Sequence, residues 1–420
     1  MAIAKTKKIS INSDALSKEA KRIYGEFTPA HRQRFGALLR EHSLQFGSNT
    51  FFYSSPGRIE VAGNHTDHNC GKVVCAAISL DTLAAVTPCD DMVAEIYSHG
   101  YPPVRVDLRD LEVKEQERGA SHALVRGVAR AYSDRGYKIG GFKATTVSDV
   151  FKGAGVSSSA AFEVLVAEIF NDLYNNAKIP AVEKAICSQY AENVYFGKPS
   201  GLMDQSAIAL GGVSHIDFEN PAAPLIKKAK WLFDDLSIVI VNNGGDHAHL
   251  TGHYALIREE MENIASHFGK NNLREVNERD FYADIKVLAA KYSERAVLRA
   301  IHFFEENKRA DAIRQAMAKA DKEAFCALIN QSGDSSYKLL QNCYPAGEKA
   351  QPIPFALTLC SRLPGARATR VHGGGFAGTI LNFVDKDKQN VFIRKANELF
   401  GKDNVFAINI RDKGTCRLEV

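Results

Sequence analysis

Residues 152–163 read Lys-Gly-Ala-Gly-Val-Ser-Ser-Ser-Ala-Ala-Phe-Glu. They join an apolar, β-branched run at 142–150 to an amphipathic helical pattern at 160–174. Glycine lets the backbone turn tightly and come close to a ligand. The serines bring hydroxyls to a helix start, where the first amides lack intrahelical partners. Unpaired N–H groups and the positive end of the helix dipole together make an anion site. The expected ligand is a phosphate, such as the tail of a nucleotide. A capped helix after a flexible turn is the plainer alternative. The three serines, with Glu163 one turn further on, favour phosphate.

The surrounding chain is that of an ordinary globular protein. Its 420 residues allow two or three domains. Hydrophobic content of 45% and charged content of 24% set it apart from disordered and membrane classes. A net charge of +4, with the basic residues scattered, offers no stripe for nucleic acid and no membrane-binding face. Eight cysteines without a Cys-x-x-Cys pair indicate reduced thiols rather than a disulfide framework or zinc cluster. The basic N-terminal residues lack the apolar core of a secretory signal, and no apolar run approaches a membrane span. A cytoplasmic protein is expected. Its oligomeric state is not legible in one sequence.

Apolar spacing predicts helices over 14–47, broken near Pro29, and over 120–132, 160–174 and 182–195. Strands are predicted at 51–53, 73–86, 93–97, 104–108 and 142–150, with Ser54-Ser55-Pro56-Gly57-Arg58 interrupting the first. Beyond the turn-rich 220–224 comes a new strand at 236–241, then a helix carrying Tyr254 and Arg258, and helical patterns from 288 to 340. Strands at 368–371 and 379–384 flank His-Gly-Gly-Gly-Phe-Ala-Gly (372–378), with a helix at 388–399 and a strand at 405–410 behind them. The order suggests an α+β second half.

Two further segments hold candidate chemistry. Gly63-Asn64-His65-Thr66-Asp67-His68 is a polar loop between β-rich runs, suited to a polyhydroxylated ligand or, equally, to bonding its own backbone. Metal ligation by His65, Asp67 and His68 is disfavoured, since adjacent histidines in a turn seldom converge. Asp204, in Leu-Met-Asp-Gln-Ser-Ala after Gly201, is either a helix cap or a desolvated functional carboxylate.

In order and spacing, the polar loop, the Gly/Ser loop and the triple-glycine loop resemble the three motifs of the GHMP small-molecule kinases. The first is most similar to the galactokinase branch, whose signature runs Gly-Arg-Val-Asn-Leu-Ile-Gly-Glu-His-Thr-Asp-Tyr. Here it reads Gly57-Arg58-Ile59-Glu60-Val61-Ala62-Gly63-Asn64-His65-Thr66-Asp67-His68. Gly-Leu-Met-Asp-Gln (201–205) and Gly-Ala-Arg (365–367) also look like that branch.

The resemblance implies a two-domain α+β architecture. A ribosomal-S5-domain-2-like unit (1–220) would bind nucleotide and sugar, and a ferredoxin-like unit (221–420) would close the site. It implies ATP-dependent phosphorylation of the anomeric hydroxyl of galactose, with Mg²⁺ as cofactor. Gly153, Gly155, Val156, Ser157, Ser158 and Ser159 would cradle the triphosphate. Ser158 or Ser159, with Glu163, would hold the cation. Asp204 matches the catalytic carboxylate and Arg58 the arginine that keeps it ionised. Asn64, His65, Asp67, Tyr254 and Gly374 would line the sugar site.

Three departures bear on the substrate: Asn64 replaces the family's Glu, His68 its Tyr, and Glu60 its Asn. His249 adds a further imidazole near the substrate loop. Loss of the negative charge at 64 would admit a carboxylate at C6. Galacturonate and N-acetylgalactosamine are therefore alternative substrates. A catalytically silent sugar or nucleotide sensor is a further alternative, disfavoured by retention of Arg58, Asp204, Glu163 and the serine run. A non-sugar alcohol is disfavoured by His65-Thr66-Asp67 and Asp204.

Overall fold

The computed structural model describes residues 10–47, 49–150, 155–244, 250–376 and 378–420. Two helices open the chain. Asp14–Tyr24 is capped by Ser13, whose Oγ accepts from Leu16 N at 3.2 Å, and it ends at Gly25. Pro29–Phe46 begins with a reciprocal cap between Thr28 and His31 and has proline in its first turn, where no amide is missed.

The strands are β1 (Phe51–Ala62), β2 (Lys72–Cys89), β3 (Val93–Ser98), β4 (Val104–Asp107), β5 (Gly141–Ser148), β6 (Val213–Asp217) and β7 (Leu225–Ala229). They continue with β8 (Leu236–Asn242), β9 (Ala366–Val371), β10 (Thr379–Asp385), β11 (Val405–Ile408) and β12 (Cys416–Arg417). Eight form one sheet, ordered β12-β1-β2-β5-β3-β4, with β6 beside β2 and β7 beside β6. Only β3 and β5 run parallel among its pairs. The other four form an antiparallel sheet in the order β11-β8-β10-β9. Chain order β8, β9, β10, β11 in that spatial order is ferredoxin-like.

Three sequence expectations change. The first strand is not interrupted at 54–58: β1 continues to Ala62 and absorbs Pro56 and Gly57 through a register shift between Pro56 and Arg58. The helix expected over 182–195 is Ala181–Tyr190 followed by a π-helical turn, Ala191–Phe196. The first sheet does not stop at residue 220, because it takes in β7 and then recovers β12 from the end of the chain.

One apolar core runs between the sheets. Ile59, Val61 and Val73 from the first share it with Ile238, Leu381 and Phe383 from the second and with Phe325 and Ile329 from a covering helix. Phe233 and Phe325 meet there with ring centroids 4.7 Å apart, a contact worth about 0.5–1.5 kcal/mol beyond burial. Continuity of that core fixes the first half's polar loop against the second half. Among the described residues no helix is long and apolar enough to cross a membrane. All eight cysteines are free, five of them buried.

Candidate active site

Arg58 leaves β1 just past its irregularity and is almost fully buried. Its Nε lies 2.7 Å from Asp204 Oδ1 and its Nη2 lies 2.9 Å from Oδ2, a bidentate fork on one carboxylate. Its third nitrogen, Nη1, donates to the Gly155 carbonyl, and its backbone N–H donates to the Val156 carbonyl at 3.2 Å. The strand β1, which leads into the polar loop, and the Gly/Ser loop are thus bolted together through one residue. Asp204 is the second residue of the helix Met203–Leu210, whose cap position is Leu202. Asp204 therefore does not cap this helix. Burial raises the Asp204 carboxyl, but the Arg58 charge and hydrogen bonds from Arg58 and Ser157 outweigh it and hold the group below its ordinary value.

The helix Ser158–Asn175 starts in an unusual way. Ser157 occupies its cap position with φ 65°, in the left-handed region, and its hydroxyl turns away from the helix amides to donate to Asp204 Oδ2. Among the described residues no side chain caps that end. Gly155 is also left-handed, at φ 65°. Uncapped amides beside Asp204 are the arrangement an anion needs. Gly153 lies outside the described residues.

Behind the helix start sits a carboxylate pair. Gln205 Nε2 donates to Glu163 Oε1 and to Glu192 Oε2, each at 2.8 Å, so one amide joins two acids. Ser159 Oγ and Lys198 Nζ meet the other oxygen of Glu192 at 3.0 and 2.8 Å. Glu163 Oε2 is buried with no hydrogen-bond partner among the described residues. Burial, and then the Glu192 charge, push the Glu163 carboxyl well up. Two desolvated carboxylates, an unpartnered oxygen and a serine hydroxyl suit a hard divalent cation. Neither Glu192 nor Lys198 stands in a motif that marks it out in the sequence. Glu192 sits inside a helical pattern, and only its place in an apolar face could have drawn attention to it.

The polar loop of residues 63–68 is held from the other half of the molecule. Three successive carbonyls of the triple-glycine turn accept from it or from its neighbours. Gly373 O accepts from Asn64 Nδ2 at 2.7 Å, Gly374 O from His65 Nε2 at 2.9 Å, and Gly375 O from Tyr254 Oη at 2.9 Å. A Cβ at Gly374 would come within 2.6 Å of the Tyr254 ring, so glycine permits this contact. His65 Nδ1 faces His68 Nε2 at 3.3 Å, and Asn69 Nδ2 donates to His68 Nδ1 at 3.0 Å. The run Asn69 to His68 to His65 to Gly374 is directional when both imidazoles are neutral, and burial lowers both their pKa values.

Asn64 departs from its expected place facing a sugar. It is fully buried, and Glu60 at 3.2 Å and the Gly373 carbonyl take both its donors. Ser336 at 3.1 Å and Asn342 at 2.8 Å donate to its oxygen. A carboxamide satisfied on all four sides has nothing left for a ligand. Its neighbour Glu60 pairs with the buried Arg370 at 2.5 Å. Asp67 differs. It is half buried, and it accepts from His68 N at 3.0 Å and Met203 N at 3.3 Å. Burial, then the Asp204 charge, push its carboxyl up to about 6. The structure therefore brings together Arg58, Asp67, Asp204, Gly155, Val156, the three serines and Glu163, with His65, Tyr254 and Gly374 on the adjoining wall. His249 lies outside the described residues.

Known proteins share this plan. A model of the "galactokinase galactose-binding signature" matches residues 40–88, and one of the "GHMP kinases N terminal domain" matches residues 123–212. The galactokinase of Pyrococcus furiosus is 31% identical over 80% of this chain and 89% of its own length. That of Clostridium tetani is 28% identical over 94% and 93%. In fold, the crystal structure of Lactococcus lactis galactokinase complexed with galactose superposes with a TM-score of 0.80, at 24% identity, covering 91% of this chain and 99% of that one. A mevalonate kinase structure superposes at 0.61 with 14% identity, covering 86% and 99%.

Proposed function

The chain belongs to the galactokinase family, and from that premise we propose that it transfers the γ-phosphoryl group of ATP to the anomeric hydroxyl of galactose. The observation that carries the reading is the fork of Arg58 on Asp204 at 2.7 and 2.9 Å, with Ser157 at the helix start bonded to the same carboxylate. A proton acceptor and a phosphate seat thus lie one side chain apart.

The mechanism follows from these contacts. Asp204, kept ionised by Arg58, accepts the proton of the sugar's anomeric hydroxyl as its oxygen forms a bond to the γ-phosphorus. The bond from that phosphorus to the bridging oxygen of ADP breaks, and ADP leaves. The transition state is loose, so positioning and charge outweigh the strength of the base. The uncapped amides of the helix Ser158–Asn175 receive phosphate oxygens, and Arg58 offsets charge at the reacting centre. Ser158, Ser159 and Glu163, together with Glu192, would hold Mg²⁺, which when bound neutralises phosphate charge. Asp67, with lone pairs left beyond its two backbone amides, accepts from ring hydroxyls. His65, Tyr254 and Gly374 form the wall beside it. A cytoplasmic location accords with ATP use and free thiols.

A second reading, a galactose relative altered at C6 such as galacturonate, rests on one observation. Position 64 carries no charge, and its carboxamide is engaged inside the protein. Coupled ADP release measured with galactose, galacturonate, N-acetylgalactosamine and arabinose decides between them. Turnover is expected with galactose. Preference for galacturonate would favour the second reading, and silence with every sugar would sink both.

A further inference from the structure

The segment Gly197-Lys198-Pro199-Ser200 reads as a mere helix stop, yet it is held with care. Gly197 is left-handed, at φ 83°, and a Cβ there would come within 2.7 Å of Arg118 Nη1. The Lys198 backbone N–H donates to the Glu192 carbonyl at 3.1 Å. Ser200 is clamped by Asn193, whose Oδ1 accepts from Ser200 N at 2.7 Å and from its hydroxyl at 3.1 Å. Gln189 Nε2 reaches the Ser200 carbonyl at 3.1 Å. A rigid loop therefore projects one lysine over the carboxylate pair.

The Lys198 ammonium rests on Glu192 Oε1 at 2.8 Å, the same oxygen that accepts from Ser159. Its side chain is 53% exposed, and the ion pair with Glu192 turns its charged end inward. Burial lowers its pKa, but Glu192, and beyond it Asp204 and Glu163, raise it further, so the charge is secure. The same charge acts on the Tyr254 hydroxyl across the cleft. The ammonium thus stands among the cation-site acids, the base and the sugar wall, the space a phosphoryl group crosses in moving from helix start to acceptor.

We infer that Lys198 is a catalytic residue that binds the terminal phosphate of ATP, exchanging Glu192 for that phosphate when the nucleotide enters. This rests on the kinase reading above. A flexible stem with a compact charge suits such an exchange, and phosphate is the stronger anion. The role is specific to the group being transferred. ADP has no phosphate in that position, so its binding should not depend on the lysine.

Calorimetric titration of the full chain with ATP and with ADP, without divalent metal, tests the idea and needs no sugar. The natural protein should prefer ATP. Lys198→Met should weaken ATP about tenfold or more while ADP changes less than about twofold, and Lys198→Arg should restore most of the ATP affinity. With MgATP and whichever sugar is turned over, kcat of Lys198→Met should fall about 100-fold. An unchanged ATP-to-ADP ratio in Lys198→Met would overturn the inference while leaving the kinase reading intact. Should that variant fail to fold, Lys198→Gln submits to the same ratio test. A natural protein that binds no ATP would overturn inference and kinase reading together.

Discussion

The two walls of the cleft are built on opposite plans. The phosphate wall, with Arg58, Ser157, Asp204, Glu163, Glu192 and Lys198, is a web of charges drawn wholly from the first half of the chain. The opposite wall, where we propose the sugar lies, includes His65, His68, Tyr254 and the turn Gly373 to Gly375, is backed by buried Asn64, and joins the two halves through neutral hydrogen bonds to backbone carbonyls. Charge is concentrated where we propose that bonds are made and broken, because developing charge is best met by fixed charge in a dry site. Neutral hydrogen bonds prevail on the other wall, where they lock the polar loop to the triple-glycine turn.

Substitutions on either wall should therefore fail in different ways. The largest effect is expected from Asp204→Asn. It should cut kcat by about 10²–10⁴ and leave ADP affinity near that of the natural protein. A variant with full turnover would remove the base from the phosphate wall. Next comes Asn64→Ala, which strands Glu60, Ser336, Asn342 and the Gly373 carbonyl. A stability loss of about 2–3 kcal/mol in denaturant unfolding is expected, with a raised sugar KM and unaltered ADP binding. Loss of ADP binding in a folded Asn64→Ala protein would show that the walls are not separable.

The smallest effect is a pH dependence at the seam between them. Asp67 is lifted from the ordinary aspartate range to about 6, by burial first and the Asp204 charge second. The ionised form, which we propose accepts sugar hydroxyls, is present above that value and lost as pH falls through it. Sugar KM at saturating nucleotide should therefore rise about tenfold between pH 7 and pH 5. A flat KM over that range would take Asp67 out of sugar binding.

Much of this site is legible in the chain because its residues cluster in short motifs. Arg58, Asp67, the serine run and Asp204 each stand in a recognisable local pattern, and their convergence follows from the family resemblance. The remainder depends on contacts between distant segments. Nothing near Asn64 foretells that Ser336 and Asn342, more than 270 positions away, will occupy its oxygen. Glu192 belongs to a helix that widens into a π turn, and its partners Ser159 and Gln205 lie on two other helices. Pro56 and Gly57 look like a break in β1 because turn residues and a strand irregularity carry the same signature. The short strands β6 and β7 and the helix Pro352–Cys360 leave no distinct pattern in the sequence, since brief runs fit strand and helix alike.

The return of β12 to the first sheet has a consequence in time. Arg411 is fully buried, and its guanidinium donates to Ser54 Oγ at 2.6 Å, 357 positions back along the chain, close to the buried Asp81. Leu418 N reaches the Phe52 carbonyl at 2.8 Å. At a synthesis rate of roughly 5–20 residues per second, tens of seconds separate the emergence of the two partners. Throughout that interval β1 waits on the ribosome with an open edge and Asp81 with part of its counter-charge missing. The sheet that carries Arg58 is the first to be made and among the last to be finished.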